Sequence, residues 1–169
     1  MKQITVAELV KHYSLEAHPE GGYYKETYRS RGIYKSLSAP FSGDRSFATA
    51  IYFLLPEGTK SALHRIASDE IWHFYLGGSM SLIQISPDGQ CETIVLGSDV
   101  SNDERLQHVV PAGYWFGGFP NVGSPYSFVG CTVSPGFDFA DFEMAQREDL
   151  AKQFPAHRSI IERLTSLEQ

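Results

Sequence analysis

Apolar and polar positions follow two different periods along this chain. From about residue 22 to about residue 142 the runs are short and β-like: YYKETYR, SFATAIYFLL, SALHRIA, EIWHFYL, MSLIQIS and CETIVLG, then QHVVP, YWFGG and YSFVGCTVS. Turn signals such as PEGT, SPDGQ, PAG and NVGSP separate them. Asp88-Gly89 between two alternating runs is a strong hairpin signal. Many short strands at regular turns predict an all-β barrel or sandwich. The period changes at both ends. In TVAELVKHY, Val6, Leu9 and Val10 share a helical face, and Thr5 and Glu8 have the spacing of a capping box. In REDLAKQFPAHRSIIERLTSLEQ, Leu150, Ile160, Ile161 and Leu164 carry the helical spacing, and Pro155 should divide the segment in two. The expected layout is one domain over 1–169: a short N-terminal helix, a barrel over about 22–142 and C-terminal helices over about 144–167.

Alternation within the strands assigns faces. Glu70, Trp72 and Phe74 share one face, and Ile71, His73 and Tyr75 the other. In the preceding strand His64 and Ile66 share a face opposite Leu63 and Arg65. In the strand at QHVV, Gln107 and Val109 oppose His108 and Val110. His73 reads as a packed, hydrogen-bonded residue. His12, His18 and His157 fall in helical or loop segments and are expected to be solvated. Arg29 has the planar fork that suits an anionic group, or a salt bridge at the surface or an interface.

Composition narrows the class. The chain has 169 residues, 42% hydrophobic and 13% aromatic, enough to build a full-sized core. A net charge of −6 without any basic run argues against a nucleic-acid partner. The sequence has no apolar stretch of membrane-spanning length and no signal-peptide pattern, so no membrane association and a cytoplasmic location are expected. Cys91 and Cys131 make no disulfide framework and are expected as two buried thiols.

The stretch GTKSALHRIASDEIWHFYLGG concentrates the chemistry. From Gly58, His64 follows after five residues, Ile66 after one more, Glu70 after three and Gly77 after six. This resembles the first cupin motif, Gly-x5-His-x-His-x3-Glu-x6-Gly, with Ile66 in place of the second histidine. In RLQHVVPAGYWFGGFP, Pro111 and Gly113 fit the second cupin motif. There Phe116 stands for its histidine, Arg105 for its glycine and Pro120 for its asparagine. HPEGGYYKETYRS, the long phrase at 51–78, QHVVPAGYW and GCTVSPGFDFADFEMA together resemble the cupin-5 (DUF985) family of the RmlC-like cupin superfamily. The resemblance implies a double-stranded β-helix, the cupin jelly-roll barrel, usually as a homodimer. It does not imply an activity. By the same resemblance the motif glutamate points into the barrel, which places Trp72 and Phe74 there with it. The family phrase also favours Gln107 over His108 as a pocket member.

A catalytic metal needs about three protein ligands and an open position, and only His64 and Glu70 remain. No tightly held metal and no other cofactor is therefore expected. The candidate catalytic pair is His64 with Glu70 as its partner, and the candidate ligand-binding residues are Ile66, Trp72, Phe74, Gln107, Trp115 and Phe116. Apolar walls with a few convergent polar groups suit a small-molecule ligand. Three classes follow: a metal-independent epimerase or isomerase acting on a polar or sugar-like metabolite, a non-catalytic small-ligand binder, or a weakly metal-dependent cupin enzyme. The tyrosine-rich strand and the run ATAIYFLL, within residues 22–55, suggest a homodimer built on strand edges.

Overall fold

The computed structural model describes residues 4–166; residue 167, the last of the expected C-terminal helices, and the ends of the 1–169 span lie outside the described residues. Helix α1 (Val6–Tyr13) opens the chain, and its capping box is formed. The Thr5 hydroxyl accepts from the Glu8 backbone N–H at 3.2 Å, and the Glu8 carboxylate accepts from the Thr5 N–H at 2.8 Å. Among the described residues thirteen strands follow: β1 (Glu16–Ala17), β2 (Tyr23–Arg29), β3 (Ile33–Leu37), β4 (Gly43–Ser46), β5 (Thr49–Pro56), β6 (Ser61–Arg65), β7 (Asp69–Gly77), β8 (Met80–Ile85), β9 (Cys91–Leu96), β10 (Gln107–Val110), β11 (Trp115–Pro120), β12 (Tyr126–Ser134) and β13 (Glu143–Met144). Helices α2 (Arg147–Gln153) and α3 (Arg158–Leu164) close it, separated by a single 3-10 turn that starts at Pro155.

The strands form a six-stranded sheet, β1-β2-β5-β12-β7-β10, and a five-stranded sheet, β13-β6-β11-β8-β9; β3 and β4 pair apart from both. Between β5 and β12 the chain crosses back and forth between the two sheets. The pairings are nested about the Asp88-Gly89 turn: β8 with β9, β7 with β10, β6 with β11 and β5 with β12, all antiparallel. A long hairpin wound into a barrel is the double-stranded β-helix, with a short N-terminal helix and C-terminal helices outside it.

Three apolar clusters hold the layers together. Phe53, Trp72, Leu82, Phe116 and Val129 fill the space between the sheets. Leu63, Ile83, Ile85 and Trp115 on the outer face of the five-stranded sheet pack on Leu150, Ile161 and Leu164 of α2 and α3. Leu9 of α1 packs with Leu54, Tyr126 and Phe128 on the outer face of the six-stranded sheet. The carbonyls at the end of α3 are met by cations. Lys60 Nζ donates to Arg163 O and Thr165 O at 2.8 Å each, and Arg147 donates to Glu162 O and Thr165 O. Cys91 is exposed rather than buried, because it begins β9, the edge strand of its sheet. Among the described residues no helix is long and apolar enough to cross a membrane.

Candidate functional site

A cavity of about 310 Å³ enters the barrel between the sheets. Strand β6 brings His64 to it, β7 brings Glu70, and β12 brings Cys131 and Val133. The segment before β2 contributes His18 and Glu20, and β2 contributes Tyr24, Glu26 and Arg29. The segment after β12 covers one side with Phe137, Phe139 and Phe142.

Glu20 reaches the interior because its loop is stitched to β6. Ala62 N donates to Glu20 O at 2.8 Å, and the Ser61 hydroxyl donates to Glu20 Oε1 at 2.8 Å. Gly21 sits at φ +112° with its Cα so close to Lys60 that a Cβ would stand 2.1 Å from the Lys60 carbonyl oxygen. Only glycine fits that approach.

His64 is 2% exposed. Its Nδ1 lies 2.8 Å from Ala62 O; a carbonyl only accepts, so Nδ1 carries a proton. Its Nε2 lies 3.1 Å from Glu20 Oε2, so a single proton sits between the imidazole and the carboxyl. Burial raises the Glu20 pKa to about 7 against the pull of His18 and Ser61. Burial also lowers the pKa of His64, opposed by the charge of Glu70 and by Ala62 O. Both directions put the shared proton on Glu20, which then donates to a neutral His64. Glu70, likewise buried, is pushed up to about 7 by desolvation; His64 opposes the rise, Glu20 adds to it, and the Cys131 thiol hydrogen-bonds its carboxylate. The Cys131 thiol itself is pushed well up, by burial and then by the charge of Glu70, and stays protonated.

His18 is not solvated: its side chain is 7% exposed and packs edge-on against Tyr24 at 4.6 Å and Phe53 at 5.8 Å. Its Nδ1 accepts from the Glu20 backbone N–H at 3.3 Å, and burial lowers its pKa. At the rim Arg29 donates through Nε and Nη2 to both oxygens of Glu26 at 2.9 and 2.7 Å. It also donates to Phe137 O through Nη1 and Nη2 at 3.2 Å each, and through Nη1 to Ser46 Oγ at 3.5 Å.

The cavity brings together His64 and Glu70 from the expected set, but the direct partner of His64 is Glu20, and Glu70 acts on it through space. Ile66, Trp72 and Phe116 lie in the apolar core, at 4%, 0% and 1% exposure, and Phe74 packs against the same core; none of the four is among the residues that line the cavity. The Phe116 ring stands 4.2 Å from the His64 ring and so shapes the site from behind. Trp72 Nε1 is, among the described residues, a buried donor without an acceptor; the ring stands perpendicular to Phe53 and Phe116. Trp115 and Gln107 are elsewhere. Trp115 neighbours Phe116 on a pleated strand, so it faces outward to the helices, with Arg65 over its ring at 4.5 Å. Gln107 pairs with His73 on the outer face and approaches its Nδ1 at 3.3 Å. His108, opposite Trp72, takes the inward orientation and meets Gln84 at 3.0 Å. His73 is hydrogen-bonded as expected, with Nε2 3.1 Å from the Thr132 hydroxyl.

A metal does not fit. The two further histidine positions hold Ile66 and Phe116 inside the apolar core. Both nitrogens of His64 are engaged by Ala62 and Glu20. Among the described residues no group of three or more His, Cys, Asp or Glu side chains is placed to hold a metal ion.

Two facing antiparallel sheets, wound from one long hairpin around a buried polar cluster, define a cupin barrel. The family model described as "Cupin_5: Cupin superfamily (DUF985)" matches residues 7–145, and the chain belongs to this family. It is 32% identical over 160 residues to the Saccharomyces cerevisiae protein YML079W, covering 88% of this chain and 79% of that one. The crystal structure of protein SO0799 from Shewanella oneidensis superposes with a TM-score of 0.87 at 38% identity, covering 98% of this chain and 100% of that one. A hypothetical protein from Leishmania major gives 0.88 at 32% identity, covering 97% and 100%.

Proposed function

We propose that the cavity binds a small polar or sugar-like metabolite and moves a proton on it, as a metal-independent epimerase or isomerase. One observation carries the reading: Glu20, His64 and Glu70 converge on one cavity, with His64 Nε2 3.1 Å from Glu20 Oε2, and burial pushes both carboxyls up to about 7. A general base works best when its pKa lies near the operating pH, and an acid must stand ready beside it. On a substrate with a C–H next to a carbonyl, the ionised Glu70 takes the proton. The C–H electron pair moves into the enolate, and the carbonyl oxygen takes the proton shared by Glu20 and His64. For isomerisation of an α-hydroxy carbonyl, Glu70 returns its proton to the former carbonyl carbon while the hydroxyl on the carbon that lost it gives its proton to the Glu20–His64 pair. For epimerisation water protonates the opposite face, Glu70 releases its proton to solvent, and the enol hydroxyl returns its proton to the pair. The same cavity suits a non-catalytic binder, and proton exchange separates the two.

The test is a panel of aldoses, ketoses and hydroxy acids incubated with the protein in D2O and followed by proton NMR. Wild type should wash deuterium into one carbon-bound position of a panel member, and Glu70→Gln should slow that exchange by roughly 100-fold or more. Binding without exchange would replace the enzyme with a binder. Binding that survives both Glu70→Gln and His64→Ala would make the cluster structural. Exposed Tyr28, Ile33, Tyr34 and Phe47 support a homodimer along the β2–β4 side, and an unpaired Cys91 and Cys131 fit the cytoplasm.

A further inference from the structure

The charge lining the cavity is one-sided. Arg29 is the cation at the rim, and its five N–H donors go to Glu26, Phe137 O and Ser46. Nothing on that guanidinium is left to grip a phosphate or a carboxylate, and Glu26 balances its charge. His18 and His64 are neutral donors and acceptors in a buried setting. What remains are carboxyls: a protonated Glu20 and Glu70 at depth and Asp138 among the lining residues. Glu70 is 7% exposed and lines the cavity; among the described residues its hydrogen-bond partner is the Cys131 thiol, a weak donor, and a buried carboxylate needs stronger ones. Aromatic rings line the same cavity. Phe137, Phe139 and Phe142 stand mutually edge-on at 5.0 to 6.0 Å, and Tyr24 stands across the His18 ring.

Resting on the reading of this cavity as a ligand site, we infer that its ligand carries a cationic amine, held by Glu70 and the phenylalanine faces, rather than a phosphate or carboxylate. An ammonium group supplies the N–H donors that Glu70 lacks, and a cation over aromatic faces gains the quadrupole attraction. An anion would oppose the ionisation of Glu70, and the guanidinium of Arg29, already engaged, offers it no free donor. A bound cation also favours the ionised form of Glu70, whose titratable neighbours are His64, Glu20 and Cys131. Binding near pH 6.5 should therefore release protons.

The experiment compares glucosamine with glucose, which is nearly the same size but uncharged, and with glucose 6-phosphate, which adds an anionic phosphoryl group, by calorimetry and thermal shift on the wild-type protein. Glucosamine should bind about tenfold or more tightly than glucose, and glucose 6-phosphate should be weakest. Glu70→Gln should shrink the glucosamine advantage to about threefold or less. In wild type, buffers of different ionisation enthalpy should show proton release on glucosamine binding, a readout independent of how the variant folds. Glucose or glucose 6-phosphate binding as tightly as glucosamine overturns the cationic selectivity. The ligand-site reading survives that result when the binding still depends on Glu70. If none of the three binds but a member of the exchange panel does, the amine inference falls alone. If nothing binds, both fall.

Discussion

Glu70 keeps its proton more readily in the folded chain than in the unfolded one, and that difference has a sign. Burial raises both Glu20 and Glu70 from an ordinary 4.5 to about 7. Their contribution to stability is complete below about pH 4.5 and is lost as pH rises through about 7. His18 and His64 are lowered from 6.5, so theirs is present above pH 6.5 and is lost as pH falls through the folded-state values. Glu70→Gln keeps the shape and removes one rising cost. Urea unfolding should find the variant and wild type similar at pH 5, with the variant more stable at pH 8 by on the order of 2–3 kcal/mol. A gap that does not widen with pH would show that Glu70 carries no desolvation burden. His64 and Glu70 were legible in the sequence because motif spacing fixes them on adjacent strands. Glu20 was not: it comes from a loop outside that pattern, and only the docking of the loop on β6 makes it the partner of His64. The Gly-Gly after Glu20 was readable as a flexible entry to the strand, but not as the device that lets the loop lie against Lys60.

Strand alternation sorted residues well wherever one face was known. It put Glu70 and Trp72 inward with His64 and Ile66, as the core shows. It could not rank faces at Trp115 and Phe116, because the outer face of the five-stranded sheet is also apolar, covered by α2 and α3. Motif position marked Phe116 as a pocket residue, and aromatic character marked its neighbour Trp115. The choice between Gln107 and His108 failed for a related reason: the two alternate correctly, but the register against β7 decides which is inward. The helix layer should be energetically separate from the cavity. Ile161 is fully buried between α3 and the sheet, so Ile161→Ala should cost about 2–5 kcal/mol in urea unfolding. Affinity for a cavity ligand should stay within about twofold, because distant sites act independently. A large loss of affinity in folded Ile161→Ala protein would tie the helices to the site.

At the scale of the whole molecule, β1 covers β2 only at Tyr23 and Tyr24, which leaves Lys25 to Arg29 as an open edge. Beside it stand exposed Tyr28 at 55% and Ile33 at 46%. An uncovered edge flanked by apolar side chains favours pairing with a second copy. Sedimentation should give a dimer at micromolar concentration, and Tyr28→Glu with Ile33→Glu should move it to monomer. Monomer throughout for wild type would refute the assembly. The barrel itself was legible as a class, from turn spacing and family resemblance, while the nesting of its pairs was not, since nothing local in a strand names its distant partner. That nesting also bears on how the chain finds its shape. Ile85 meets Cys91 across the Asp88-Gly89 turn, Glu70 meets Val110, His64 meets Phe116, and Pro56 meets Tyr126. Each inner pair brings the next two strands within reach, so a closure that starts at the turn never has to span the whole loop at once. On such a route the entropy of search would be spread over four steps, and the polar cluster of the cavity, which needs both β6 and β7 in place, would be assembled late.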